Sequence, residues 1–396
     1  MRYLRFLLIL PVFVVSACQD SAPSAPPHEP GQLVSSTQTT QYSYQQLRTV
    51  AALLGFDDFT AILNHDVRVY RIVYRTSYRG DVTEASGLLF VPQNVQGGAP
   101  LVSLQHGTTF RKDDAPSVAG EFSGVELFAS AGYVALMPDY LGYGASSSIF
   151  HPYYDREHSA SAVTDMILAV GAFAGQEGIA LDGRVFLAGY SEGGYTTMAA
   201  AHAMENGAIP DYSLTAVAAG AGGYDLPHML NTILEGETYD YPAYIAFLVK
   251  AYNETYSWNR PLTDFFADEY AAVLSERLNG DYDDGDINPL LTNNIHELFN
   301  PDFLAALEDP EGELEFKGAL EMNAVSAWHA TTPIRLYHGT ADIVVPYSNS
   351  ERTLESMLNA GSEEVSLISI PGGTHGSSLV PMLALAVPWF EEIRQQ

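Results

Sequence analysis

The residue with the clearest potential for chemistry is Ser191, in the pentapeptide Gly-Tyr-Ser-Glu-Gly at residues 189–193. An apolar run, 184–188, precedes the pentapeptide, and a helical pattern, 193–206, follows it. A serine between a strand and a helix occupies a sharp turn, so the positions two residues away on either side must lack a Cβ atom. The pattern therefore predicts that Ser191 is a nucleophile whose Oγ projects beyond the edge of a sheet.

A serine hydroxyl needs a general base at neutral pH, and His375 is the candidate. It lies in a Gly-rich loop, 371–376, and a histidine in such a loop is not expected to pack into the apolar core. Asp342, just after the apolar run 334–337, is the candidate acid that holds the imidazole in one tautomer. Strand C-terminal ends of this kind are where α/β proteins build their sites. Asp139 is a rival carboxylate, but we expect it to have a structural role beside the site.

The tetrahedral intermediate of acyl transfer needs N–H donors for its oxyanion. The backbone N–H of Glu192, directly after the nucleophile, is predicted to be one donor. The other is expected from the loop 105–109, Gln-His-Gly-Thr-Thr, with Thr108 as the first candidate and Thr109 as the second. We interpret His106 as an organiser of that loop. His338, which also precedes a glycine, is interpreted in the same way.

These residues must be positioned by an α/β scaffold. Residues 67–77 and 85–91 alternate with period two around a Gly-Asp turn, which predicts an antiparallel hairpin. Short apolar runs follow at 101–104, 133–137, 184–188, 214–218, 334–337 and 365–370. Helical patterns separate most of these runs, at about 117–131, 159–176, 193–206, 348–360 and 378–394. The alternation predicts an α/β fold with a mostly parallel sheet of eight strands.

The segment 223–328 interrupts this alternation, because it contains no convincing buried strand. It is rich in aromatic residues and is divided by Pro and Gly into short helical stretches. We predict a helical cap inserted after the sixth strand, with most aromatic side chains in its own core and a few facing a substrate cleft. The sheet-forming core then consists of residues 41–222 and 329–396.

Five motifs, in this order, resemble the α/β-hydrolase superfamily: a His-Gly-Thr loop, Pro-Asp-Tyr-x-Gly-Tyr-Gly, Gly-Tyr-Ser-x-Gly-Gly, His-Gly-Thr-Ala-Asp-x-Val-Val-Pro and Thr-His-Gly. The large insertion and the antiparallel hairpin resemble the secretory lipase family. The resemblance covers about 65–395 and implies an α/β-hydrolase fold with the order Ser191, Asp342, His375. It implies a serine esterase or lipase that forms an acyl-enzyme from a small-molecule or lipid ester. No cofactor and no metal are expected.

Two other functions stay open at this point. An exopeptidase of the same superfamily would use paired acids to bind a substrate amine, and Glu192 could serve there. A catalytically inactive binding module on the same fold is less expected, because all three members of the predicted triad are present.

The amino-acid composition excludes further classes of function. Among 396 residues, 48 are Asp or Glu and 18 are Lys or Arg, a formal charge of −30 that argues against nucleic acid as a partner. Cys18 is the only cysteine, which excludes disulfides and cysteine-based zinc sites or catalysis in the folded domain. The acidic stretch 281–286 fails the spacing of an EF-hand, and we interpret it as a solvated loop. Three scattered histidines form no zinc pattern: His151, His158 and His202.

The N-terminus resembles a bacterial lipoprotein signal peptide. Arg2 and Arg5 precede a short apolar stretch, 6–15, and Val-Ser-Ala-Cys follows at residues 15–18. We expect cleavage of residues 1–17, a lipidated Cys18 and a flexible Pro-rich tether over 18–40. Gln19 favours delivery to the outer membrane. The prediction is an exported protein of the cell envelope that contacts the membrane through its lipid; the oligomeric state is not indicated.

Overall fold

The structure is a computed structural model that describes residues 29–396. Its centre is a nine-stranded sheet with the order β1-β2-β3-β5-β4-β6-β7-β8-β9. The strands β4 to β9 are parallel, and β1, β2 and β3 join antiparallel at one edge. The bounds are β1 Leu33–Tyr42, β2 Val67–Tyr78, β3 Asp81–Pro92, β4 Ala99–Gln105, β5 Val134–Pro138, β6 Leu181–Tyr190, β7 Ser213–Gly220, β8 Ile334–Gly339 and β9 Val365–Ile370.

Helices cover both faces of the sheet. Their bounds are α1 Tyr44–Leu53, α2 Pro116–Ala119, α3 Val125–Ser130, α4 Arg156–Glu177, α5 Glu192–Glu205, α6 Leu226–Leu234, α7 Pro242–Thr255, α8 Asp268–Arg277, α9 Asp284–Ile287, α10 Ile295–Leu298, α11 Pro301–Glu308, α12 Leu314–Asn323, α13 Tyr347–Asn359 and α14 Leu379–Arg394. One apolar core joins α4, α5 and α13 to one face, and a second joins α1, α3 and α14 to the other. No helix among the described residues is long and apolar enough to cross a membrane.

The predicted antiparallel hairpin is formed by β2 and β3. Their register runs without interruption from Val67, opposite Pro92, to Tyr78, opposite Asp81. The two turn residues, Arg79 and Gly80, both have positive φ, at 54° and 84°. Two such residues match the right-handed twist of the strands that they connect.

The first strand, β1, was not predicted. The sequence analysis assigned 18–40 to a flexible tether, but from Leu33 onward this segment pairs antiparallel with β2, so the sheet has nine strands. The prediction failed because β1 is an edge strand that is exposed along nearly all of its length and therefore has no apolar alternation. Its threonines favour extended backbone without marking a buried face. Cys18 and the predicted signal peptide lie outside the described residues.

The insertion between β7 and β8 is helical, as predicted, and comprises α6 to α12. Within it, the described chain forms only two isolated β-bridges, Thr238–Asn294 and Phe266–Phe299. Its aromatic residues form a core of their own, in which Phe265 and Phe266 are fully buried and Phe265 packs edge-on against Phe303 at 5.2 Å. This helical cap lies on the same face of the sheet as α4 and α5.

Hydrogen bonds attach the cap to the loop that precedes α4. The hydroxyl of Tyr252, on α7, donates to the Tyr154 carbonyl at 3.0 Å. The Tyr256 hydroxyl donates to Asp155 Oδ2 at 2.5 Å. It also accepts from Asn323 Nδ2 at 2.7 Å. The cap is therefore held to the core by directional polar contacts as well as by apolar packing.

Candidate active site

Ser191 lies on a sharp turn between the last residue of β6 and the first residue of α5, with φ 61° and ψ −124°. This is a sparsely populated backbone conformation for a residue with a Cβ atom. The flanking glycines allow the turn to close. A Cβ on Gly189 would lie 2.2 Å from the Gly193 carbonyl oxygen, and a Cβ on Gly193 would lie 2.1 Å from the Gln105 carbonyl oxygen.

The structure brings Ser191, His375 and Asp342 together from three loops at the C-terminal edge of the sheet. His375 Nε2 lies 2.8 Å from Ser191 Oγ, and His375 Nδ1 lies 2.7 Å from Asp342 Oδ2. Both distances are within hydrogen-bond reach. One imidazole can therefore accept the serine proton at Nε2 while its Nδ1–H is fixed by a carboxylate.

Asp342 is buried, and its carboxylate accepts three hydrogen bonds and has one further contact with a histidine. Its Oδ1 accepts from the backbone N–H groups of Val344 and Val345 at 2.9 and 3.0 Å. Its Oδ2 contacts His375 and, at 3.2 Å, Nε2 of His338. Burial opposes ionisation, but the contacts to the two histidines outweigh it and lower the pKa of Asp342 to about 2. The carboxylate is therefore ionised throughout the neutral range.

His338 is fully buried and organises this loop, which agrees with its interpretation from the sequence. Its Nε2 also contacts the Val345 carbonyl at 3.0 Å, so Nε2 carries a hydrogen, and its Nδ1 lies 2.7 Å from Ser350 Oγ. The contact with Asp342 was not foreseen. The sequence signal that could have found this contact is the spacing of four residues between His338 and Asp342 across a strand end.

The loop after β9 holds His375 against the core. The Tyr190 hydroxyl donates to the His375 carbonyl at 2.7 Å, and the Ala341 N–H donates to the Gly373 carbonyl at 2.9 Å. A Cβ on Gly339 would lie 2.2 Å from the Gly373 carbonyl oxygen. Because residue 339 has no side chain, the loop that carries Asp342 can approach the loop that carries His375 closely.

The loop after β4 lies beside the nucleophile. A Cβ on Gly107 would be 3.8 Å from Ser191 Cβ. His106 stacks on Tyr140 at 4.1 Å and contacts the Gly107 carbonyl through Nδ1 at 2.7 Å, which makes it an organiser of the loop as predicted. Thr108 Oγ1 lies 3.0 Å from the Tyr153 hydroxyl.

Asp139 does not contact His375 in this arrangement. It is fully buried, and its carboxylate accepts from the Ser86 hydroxyl at 2.6 Å and from the Ser117 backbone N–H at 2.8 Å. These bonds connect β3, β5 and α2, so the structural role expected for Asp139 agrees with its position.

Glu192 has a partner that the sequence analysis missed. Its side chain is 1% exposed, and Oε1 lies 2.6 Å from His151 Nε2, while His151 Nδ1 lies 2.7 Å from the Leu141 carbonyl. His151 had been noted only as one of several histidines without a zinc pattern. The two residues are 41 positions apart, and no local pattern connects them.

A small apolar pocket adjoins Ser191 under the cap. Its volume is about 30 Å³, and it is lined by the loop before α4, by α6 and α7 and by the Asp342 loop. Tyr239 and Tyr244 are the cap aromatics that line it, whereas Phe265 and Phe266 belong to the cap core. The expectation that only a few cap aromatics face the cleft agrees with this arrangement.

The acidic stretch 281–286 closes on itself. Asp283 caps α9, because its carboxylate accepts from the Asp286 N–H at 2.9 Å. The Asp286 carboxylate in turn accepts from the Asp283 N–H at 3.3 Å. Within 29–396, no group of three or more acidic, histidine or cysteine side chains is arranged to hold a metal ion.

A capped, mostly parallel sheet with a serine elbow and a following acid and histidine defines an α/β-hydrolase. The sequence model of the secretory lipase family matches residues 119–394, and the chain belongs to that family. None of the curated protein sequences matches the chain.

Solved structures agree with this assignment. A Legionella pneumophila protein classed only as a hydrolase is 26% identical with a TM-score of 0.82, covering 92% of this chain and 99% of its own. The rice cell wall degrading esterase LipA from Xanthomonas oryzae, in a ligand-bound form, is 26% identical with a TM-score of 0.79, covering 90% and 95%. Candida antarctica lipase A in its closed state shares the fold at 15% identity, with a TM-score of 0.68 and coverages of 92% and 83%.

Proposed function

We propose that the protein is a serine carboxylic-ester hydrolase that works through an acyl-enzyme. The observation that carries the proposal is the continuous contact from Ser191 Oγ through His375 to Asp342, at 2.8 and 2.7 Å. Ser191 attacks the acyl carbon while His375 takes its proton, and His375 then protonates the departing alkoxide. Asp342 stabilises the imidazolium. Water activated by the same histidine then releases the acid.

The oxyanion is assigned to two backbone N–H groups, those of Glu192 and Thr108. The Glu192 N–H is at the first position of α5, where a helix leaves its N–H groups without internal partners and where its dipole favours negative charge. Thr108 follows Gly107, which adjoins Ser191. The contact between Thr108 Oγ1 and Tyr153 fixes the loop while leaving the backbone N–H for the substrate. Thr109 remains the second candidate.

The acyl group is proposed to be apolar and of medium length. The pocket beside Ser191 is lined by aliphatic and aromatic side chains, including Met229, Leu230, Ile245 and Leu248 from the cap. A volume of about 30 Å³ holds little more than one water molecule. Acyl binding therefore requires α6 or α7 of the cap to move away from the nucleophile, and the cap acts as a lid.

The exopeptidase alternative depended on a Glu192 carboxylate facing the cleft. That carboxylate is buried and bonded to His151, so it is not available to bind a substrate amine. No other observation favours this alternative.

The test is an assay of nitrophenyl esters from acetyl to palmitoyl, with aminoacyl nitroanilides in parallel. We expect ester turnover with an optimum in chain length, and a loss of kcat by orders of magnitude in Ser191→Ala with unchanged thermal unfolding. A fluorophosphonate probe should label the wild-type protein at Ser191. Retained turnover in Ser191→Ala, or turnover of the anilides alone, would refute the proposal.

We further propose that the protein is exported and anchored through a lipid on Cys18, with the outer membrane as its destination. Support comes from the lipobox-like Val-Ser-Ala-Cys at residues 15–18 and from membership of a secretory family. Mass spectrometry of the native protein tests this directly. An unmodified Cys18 thiol would contradict the anchor.

A further inference from the structure

A second cavity, larger than the pocket at Ser191, lies on the face of the sheet opposite the cap. Its volume is about 340 Å³, within the range of roughly 300–1,000 Å³ that is typical of small-molecule sites. Its floor is formed by β4 and β6, and its walls by α3, α14 and the 3-10 segment Asp57–Ile62. We refer to it as the sheet-face cavity.

The sheet-face cavity extends along α14. Leu379 and Glu391, at opposite ends of that helix, both line it, and a helical rise of 1.5 Å per residue separates them by about 18 Å. One end lies against Gly107 and Tyr190, at the catalytic edge of the sheet. The other end reaches Tyr133, whose pKa is raised by burial and by the neighbouring Glu391. The cavity is therefore elongated along α14, and it contacts β4 and β6 at their C-terminal ends.

Hydrocarbon surrounds most of this space. The lining includes apolar side chains from the floor and from each wall: Phe59, Leu104, Phe128, Met382, Leu383 and Val387.

Most polar side chains along the cavity already have partners in the protein; the exceptions are Tyr133 Oη and Glu391 Oε1 at its far end, which have none among the described residues. Ser123 donates to Glu126 at 3.0 Å, His106 contacts the Gly107 carbonyl, and Glu391 accepts from Arg394 at 2.6 Å. A polar ligand group buried along the apolar stretch would lose its hydrogen bonds to water without replacement, which is unfavourable. Between its rim and those two atoms, the cavity therefore selects a hydrocarbon portion of a ligand.

We propose that the sheet-face cavity binds the alkyl chain of a long-chain fatty acid, with the carboxylate left in water at the rim. Two lining residues at the rim are themselves exposed apolar side chains, Leu54 at 51% and Leu379 at 40%. An elongated apolar space with an apolar rim fits an unbranched chain that enters end-on.

The site is separate from the catalytic pocket. Ser191 lines only the pocket under the cap, and Gly107 and Tyr190 stand between the nucleophile and the sheet-face cavity. The proposal concerns binding alone and does not depend on ester hydrolysis.

The experiment is a titration of the purified protein with trans-parinaric acid, a fatty acid whose fluorescent polyene chain contains no heteroatoms, followed by displacement with palmitate. Leu383→Trp places an indole inside the cavity from the middle of its α14 wall. Leu385→Trp is the matched control, because Leu385 is on the same helix but is 47% exposed and outside the lining. A third sample carries a small phosphonyl group on Ser191. Thermal unfolding of both variants checks that they are folded.

We expect saturable binding that Leu383→Trp weakens by at least about tenfold, the effect of displacing about two buried CH₂ groups. Leu385→Trp and the phosphonylated protein should bind like wild type. Absent binding, equal binding by the two tryptophan variants, or loss of binding on phosphonylation would each overturn the proposal. If Ser191 does not react, the serine mechanism fails, while the comparison of the two tryptophan variants still tests the cavity.

Discussion

His151 Nε2 lies 2.6 Å from Glu192 Oε1 in a region closed to solvent, where the two side chains are 5% and 1% exposed. The other ring nitrogen of His151 faces the Leu141 carbonyl, which can only accept a hydrogen bond. A neutral imidazole has one N–H, so the second contact needs one more hydrogen. The pair therefore holds a proton, either as imidazolium and carboxylate or as imidazole and carboxylic acid.

This geometry predicts unequal effects for two substitutions. His151→Phe leaves the buried Glu192 without a partner and should destabilise the fold by about 3–5 kcal/mol. Glu192→Gln can donate from its amide to a neutral His151, so it should change stability little and keep kcat within about tenfold. Thermal unfolding and ester kinetics measure both. A His151→Phe variant as stable as wild type would contradict the role of His151 as the partner that stabilises the buried Glu192.

The glycine after Glu192 gives a second prediction. A methyl group on Gly193 would meet the Gln105 and His106 carbonyl oxygens at 2.1 and 2.7 Å, both in the backbone of the β4 loop. Gly193→Ala should therefore displace that loop from the oxyanion and lower kcat by about 100-fold, the effect of losing one donor. Gly175→Ala is the control, since Gly175 is in α4 with open space around it and should gain up to about 1 kcal/mol of stability. If Gly193→Ala and Gly175→Ala had the same kcat, the assignment of the β4 loop to the oxyanion would be contradicted.

The sequence predicted what local patterns determine. The elbow at Ser191 was readable because strand, glycines and helix are contiguous, and Asp342 and His375 each follow a recognisable apolar run. Contacts between distant segments were not readable, and the pair formed by His151 and Glu192 is of that kind. An exposed edge strand such as β1 also lacks the apolar period on which strand prediction depends.

The attachment of the cap gives a third prediction. In Tyr256→Phe, Asp155 loses a hydrogen bond that, with those from His158, lowers its pKa against the opposing effect of burial. Asn323 loses a partner as well, so we expect a loss of about 1–3 kcal/mol and a more mobile cap. Tyr347→Phe is the control, because it removes an exposed hydroxyl contact of 2.6 Å to Ser369 and should change little. Hydrogen exchange in α7 that is the same in both variants would refute this role.

Asp165 gives the last prediction, which concerns pH. It lies on α4 against β2 at 8% exposure, and burial raises its pKa from 3.8 to about 6, although a hydrogen bond from Thr76 at 2.7 Å partly opposes the shift. Between about pH 4 and 6 the native state therefore binds more protons than the unfolded state, and stability falls as pH rises. Above pH 6 the full free-energy cost of ionising the buried carboxyl remains, on the order of 3 kcal/mol.

Asp165→Asn removes this cost, because the amide oxygen can still accept from Thr76. Its melting temperature should exceed that of wild type at pH 7, and the difference should be much smaller at pH 4, where the native carboxyl is protonated and the unfolded one is only partly ionised. Asp211→Asn, at an exposed position, provides the control for the change of charge alone. Thermal unfolding curves of both proteins at pH 4 and pH 7 measure this difference. If the difference in melting temperature is the same at both pH values, ionisation of Asp165 is excluded as its cause.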